Sequence, residues 1–235
     1  MNKPQGLEKL AELVSSPDKP ILLRGEIWVA SKVLEAAGLS QDPKGILELA
    51  SMMEADISFF PWSKLLIPFD LKEMVNLSHG AGMGCGVTID GPFQRLVQER
   101  GLLPVLGELG KWPLSFKSLL TEESENILKT LKLVEDSGVD LILICDDLAY
   151  SSGLYFSPAI FRESLLPLYR ILSSQISKRN LPLGWHSDGD VSTILPDIVD
   201  CGTRFFSLES ECVNLLDLKR TYGNRMTLVG GIRAA

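Results

Sequence analysis

Residues 139–147 read VDLILICDD, a nearly unbroken apolar run that ends on two aspartates. A strand that is apolar on both faces must be covered on both. That is the mark of a parallel strand lying under helices. Its flanks agree. Residues 119–138 read as a helix, with Thr121 at its start, Glu122 and Glu123 in the first turn and Gly138 as its stop. Ser157-Pro158 opens the next helix with a serine cap and a proline at the first position. Pro167 should kink or break that helix, because proline supplies no amide hydrogen.

The same alternation extends outward. Short apolar strands are expected at 21–25, 56–60, 87–89, 181–186, 203–208 and 226–230, giving seven with the central one. Helical spacing separates them at 4–15, 28–37, 44–54, 70–79, 93–101, 191–200 and 214–222. Strictly alternating elements imply parallel strands with helical crossovers. The expected fold is therefore α/β, a TIM-type (α/β)8 barrel that is incomplete, with about seven parallel strands in one domain spanning 1–235. The glycine-rich stretch at 80–86 precedes its strand and lacks GxxxxGK[ST], so it reads as a turn and not a phosphate loop.

Composition narrows the function. The 235 residues are 45% hydrophobic and 23% charged, with a net charge of −7. An acidic chain without a cationic run does not suit nucleic acid, whose phosphates demand clustered lysine and arginine. No apolar run approaches a membrane span. The four cysteines form no CxxC and read as reduced thiols, so a cytoplasmic location is expected. The length falls a little short of the about 250 residues usual for an eight-stranded barrel.

Barrel chemistry gathers at the C-terminal ends of strands. Asp146 and Asp147 follow the central strand, one to face the mouth and the other to anchor the next loop, with Tyr150 close behind. The strongest cluster is His186-Ser187-Asp188-Gly189-Asp190. In extended backbone His186 and Asp188 project to one side. Such a pair binds zinc or works as a base with its orienting acid. His186, Asp188 and Asp147 are the expected catalytic residues, and His186 and Asp188 the candidate metal ligands. Arg24, Asp90, Asp146, Tyr150 and Glu209 are the expected substrate-binding residues. Cys201 and Cys212 are poor third ligands, Cys212 being the better placed. Serine-elbow and HExxH motifs are absent.

Four segments, 90–101, 137–170, 186–202 and 218–232, together resemble the uroporphyrinogen decarboxylase superfamily, which includes cobalamin-dependent methyltransferases. The resemblance implies a barrel with its cleft at the strand C-termini. For the methyltransferase branch it implies methyl transfer between a small substrate and a corrinoid carried by a partner protein. It also implies zinc held by a His-x-Cys pair and a later cysteine, with His186 as the histidine and Asp188 where the first cysteine would stand. Uroporphyrinogen decarboxylase proper and a non-catalytic barrel are the alternatives. The arginine stretch and aspartate of true decarboxylases are replaced by LLRGEIW at 22–28 and ISFFPWS at 57–63. Against the family pattern the chain reads as C-terminally truncated. Open strand edges would then favour a homo-oligomer.

Overall fold

The structure is a computed structural model that describes residues 6–16, 19, 21–62, 70–111 and 114–230. The start of the first expected helix and the end of the segment 218–232 lie outside these residues. In chain order the elements are α1 (Gly6–Ser15), α2 (Ser31–Ala36), α3 (Pro43–Met52), β1 (Ile57–Trp62), α4 (Leu71–Gly80) and β2 (Gly84–Asp90). Then come α5 (Pro92–Arg100), α6 (Leu102–Lys111), α7 (Leu114–Glu135), β3 (Leu141–Cys145), β4 (Ala149–Tyr150) and β5 (Gly153–Leu154). The rest are α8 (Pro158–Ile160), a π-helical turn (Phe161–Leu165), α9 (Leu166–Ser177), β6 (Leu183–Ser187), α10 (Leu195–Asp200), β7 (Phe205–Leu208), α11 (Leu215–Tyr222) and β8 (Thr227–Val229). The chain divides into two compact units, one of residues up to 89 with 132–142, the other of 90–131 with 143 onward.

In the first unit β1 and β2 are neighbours and run parallel, with Ile57 opposite Gly84 and Phe60 opposite Val87. Two glycines of the 80–86 stretch, Gly84 and Gly86, lie in β2 itself. At Gly86 a Cβ would lie 2.4 Å from the Phe59 ring, so only glycine lets that ring lie flat on the strand. Helices start where aspartates can accept their free amides. Asp42 accepts from Lys44 and Gly45 at α3, and Asp70 from Lys72 and Glu73 at α4.

The expected first strand at 21–25 is not a strand. The Ile21 amide turns back to the Lys19 carbonyl at 2.8 Å, and the Arg24 carbonyl accepts from the amides of Asp56 and Ile57, at 2.8 and 3.2 Å. Among the described residues the strands outside the antiparallel β4–β5 hairpin therefore number six and not the expected seven. An Arg-Gly that turns out after three apolar residues is too short to carry a ladder.

In the second unit the order is β3-β6-β7-β8. The β6–β7 and β7–β8 pairs are parallel, with His186 opposite Ser207 and Ser207 opposite Val229. Phe93, Phe116, Phe161, Phe206, Leu165, Ile194 and Ile198 fill the core at no more than 0% exposure. Pro167 acts as its sequence suggests. The helix loosens to a π turn just before it, where the Leu166 amide reaches the Phe161 carbonyl, five residues back. The turn carries Phe161 onto Tyr169 and Trp185, with ring centroids 5.9 and 6.3 Å apart. Trp185 so faces α9, and its neighbour His186 faces the opposite side of the strand.

Candidate functional site

Parallel strands bring their C-terminal ends to one edge of the second unit. Asp147 follows β3, His186 and Asp188 stand at the end of β6, and Ser207 and Glu209 at the end of β7. The Asp146 amide donates to the His186 carbonyl at 3.0 Å, which carries the β3–β6 pairing into the two functional loops.

Each residue of the 186–190 loop has a job that its type explains. Ser187 is fully buried, and its hydroxyl accepts the Leu148 amide at 3.1 Å. The Asp188 amide donates to Asp147 Oδ1 at 3.0 Å, and the Gly189 amide to Glu209 Oε2 at 3.1 Å. Gly189 has φ +76°, and a Cβ there would lie 2.5 Å from the Ala149 carbonyl carbon. Only glycine takes that conformation with the β4–β5 hairpin pressed against it. The Asp190 amide then bonds the Tyr150 carbonyl at 3.0 Å.

The result is an imidazole among carboxylates. His186 Nε2 lies 3.4 Å from Asp188 Oδ1 and 3.8 Å from Asp147 Oδ1. Its Nδ1 is 3.0 Å from Ser207 Oγ. Burial pulls the His186 pKa down, but hydrogen bonding to Asp188 and the charges of Asp147, Asp188 and Glu209 outweigh it and hold the ring above its ordinary value. Asp188 is lowered, chiefly by its bond to His186. Asp147 is raised, chiefly by burial, with the charges of Asp188 and Glu209 adding to it. The charges that act most strongly on Asp147 are those of His186, Asp188 and Glu209.

One atom each from Asp147, His186 and Asp188 lies within 4.8 Å of the others. Ligands about 2.0–2.2 Å from a tetrahedral ion stand roughly 3.3–3.6 Å apart. The observed 3.4 and 3.8 Å are close to that spacing. One imidazole and two carboxylates could hold a divalent cation that accepts nitrogen and oxygen.

Other expected residues fall in different places. Glu209 is exposed, and its Oε2 takes both the Gly189 amide and the Cys212 thiol, the latter at 3.2 Å. Burial first, and then that contact, push the Cys212 thiol up to about 11. Tyr150 is 51% exposed and stacks on Tyr155, with centroids 5.9 Å apart. Asp90 ends β2, and its charge helps burial raise the Cys145 thiol. Cys201 lies at the end of α10, where its carbonyl accepts from the Ser173 hydroxyl.

Two of the expected substrate-binding residues make structural bonds. Asp146 is 0% exposed and caps α5: Gln94 and Phe93 donate their amides to it at 2.6 and 3.4 Å, and the Tyr169 hydroxyl also donates. Gly91 makes room for it, since a Cβ there would lie 2.4 Å from the Asp146 carboxyl carbon. Arg24 belongs to the first unit, where it pairs with Glu54 at 3.4 Å and Asp56 at 3.7 Å. Ser207 was not foreseen. Its signal is the lone polar residue in Phe205–Leu208, but the register that sets it beside His186 is not written in one strand.

The sequence pattern of the uroporphyrinogen decarboxylase (URO-D) family matches residues 77–235, more than half of the chain. The chain belongs to the uroporphyrinogen decarboxylase family. Within it the chain is similar to the methylcobamide:CoM methyltransferase MtaA of Methanosarcina barkeri, 29% identical over 126 residues. That stretch is 52% of this chain and 36% of the relative, so the chain spans only about a third of that protein's length by this match. The protein of the same name from M. barkeri strain Fusaro (DSM 804) is 28% identical over an equal stretch, again 52% of this chain and 36% of the relative. A solved methyltransferase from Methanosarcina mazei superposes with a TM-score of 0.74, covering 96% of this chain and 82% of its own. At 16% identity that likeness speaks for the fold of this uroporphyrinogen decarboxylase family member alone. No described helix is long and apolar enough to cross a membrane.

Proposed function

We propose that this family member is a methyltransferase-like enzyme whose barrel domain moves a methyl group between a small substrate and a corrinoid carried by a partner protein. The observation that carries the reading is the convergence of Asp147, His186 and Asp188 at adjoining strand ends, with ligand atoms within 4.8 Å. The likeness to methylcobamide:CoM methyltransferases supplies the reaction class.

Methyl transfer delivers a methyl cation equivalent to an acceptor lone pair, and an acceptor such as a thiol must shed its proton. A divalent cation bound here would lower the acceptor's pKa by direct coordination. Asp147, His186 and Asp188 would hold that cation. With Asp147 engaged as a ligand, the proton released from the acceptor would pass to bulk water. Glu209 keeps the 186–190 loop in place through the Gly189 amide. Tyr150 and Tyr155, and Asp90 at the end of β2, would border the substrate. Decarboxylation of a porphyrinogen is less suited to this edge, because its acidic side chains would meet like charges.

The test is turnover with free methylcobalamin as donor and a small thiol as acceptor, followed by the visible spectrum of the corrinoid, with uroporphyrinogen in a parallel assay. Demethylation that requires His186 supports the reading. Uroporphyrinogen turnover without demethylation overturns it.

A further inference from the structure

A histidine can serve this cluster only if one particular nitrogen faces it. A 180° flip of the ring puts Cε1 where Nε2 was and Cδ2 where Nδ1 was. The flip would turn a carbon toward Asp147 and Asp188. The strand register meets this need. His186 in β6 stands directly opposite Ser207 in β7, so both side chains leave the sheet on one face. The distance from Nδ1 to Ser207 Oγ is 3.0 Å. Ser207 is 7% exposed and sits between Phe206 and Leu208 in a strand whose other residues are apolar. An alanine would serve packing there equally well, and a buried hydroxyl calls for a partner.

We propose that Ser207 is a positioning residue: its hydroxyl holds the His186 ring so that Nε2 faces the carboxylates of Asp147 and Asp188. The proposal rests on the reading of these three residues as the working cluster. A hydroxyl suits the task because it both donates and accepts. It accepts from Nδ1–H when Nε2 must offer its lone pair to a cation. It donates to bare Nδ1 when Nε2 carries the proton toward the carboxylates. Outer partners of this kind fix the tautomer and orientation of ligating histidines, and their loss costs about 10–100-fold in metal affinity.

The chain has two histidines, so His79 is an internal reference in the same spectrum. Long-range proton–nitrogen spectra of the metal-free protein would be recorded for wild type, Ser207→Ala and Ser207→Thr, followed by zinc titration against a chromophoric chelator. The expected result is one ordered His186 tautomer in wild type and Ser207→Thr. Ser207→Ala should show a mixture and bind zinc about 10–100-fold more weakly, with the His79 signals unmoved. If wild type takes up no zinc yet Ser207→Ala still loses tautomer order, the positioning role stands and the metal reading falls. An unchanged His186 tautomer in Ser207→Ala would overturn the proposal, even with weaker zinc binding that Ser207→Thr fails to restore, because the serine would then serve packing alone.

Discussion

The chain uses its two histidines in opposite ways, one in each unit. In the first unit His79 Nε2 meets Asp140 Oδ2 at 2.8 Å, and the same oxygen takes the Cys85 amide at 2.8 Å. That pair ties the end of α4 to the first residues of β2 and the entry to β3. Cys85 behind it is fully buried, its thiol pushed up to about 12 by burial. In the second unit His186 faces two carboxylates at 3.4 and 3.8 Å, each partly exposed. One imidazole has a single well-fitted partner at the starts of strands. The other has several loosely placed partners at the ends. Saturated geometry locks a fold, whereas looser geometry among convergent charges leaves room for a third party.

The largest expected effect separates the two. His186→Ala should abolish stoichiometric divalent-cation binding and methyl transfer, at least 100-fold being expected for a lost ligand by comparison with the about 10–100-fold of an outer partner. His79→Ala should leave both unchanged and lower stability by about 1 kcal/mol in urea unfolding, the net worth of a part-exposed bond. Equal loss of cation binding in the two variants would erase the distinction.

Next in size is Asp146, the locked member of the 146–147 pair. Asp146→Ala should cost about 3 kcal/mol in urea unfolding, because it strands the α5 amides and the Tyr169 hydroxyl. The pH dependence has a defined sign. Burial raises the folded Asp146 pKa from 3.8 to about 7, even against its hydrogen bonds to Tyr169, Gln94 and Phe93. The folded state therefore holds its proton more tightly than the unfolded chain. That contribution is fully present below pH 3.8 and is lost as pH rises through about 7. Unfolding curves between those limits should show this fall in wild type and lack it in Asp146→Ala.

The smallest effect is at Glu209, which touches the cluster through backbone. Glu209→Gln keeps an acceptor for the Gly189 amide but removes a charge that acts on His186. A loss of about threefold in cation affinity is expected, on the scale of a modest surface charge effect. A loss as large as that of His186→Ala would make Glu209 a ligand.

Much of this was legible in the sequence. The apolar run 139–145 and the alternation around it gave the α/β plan, because burial on both faces leaves a plain mark. His186 and Asp188 were visible together because strand geometry spaces alternate residues on one side. The fate of Asp146 and Asp147 was half visible: adjacent residues must point apart, but which one enters the core depends on where α5 starts in space. Ser207 was hidden for the same reason, since register between strands is a tertiary fact. The segment 21–25 misled because three apolar residues resemble a strand whether or not a neighbour offers a ladder.

The most direct measurement is the zinc content of the purified chain after loading and dialysis, by atomic emission, for wild type and His186→Ala side by side. The account predicts close to one ion per wild-type chain and essentially none in His186→Ala. Zinc retained by His186→Ala, or no zinc in either protein, would contradict it.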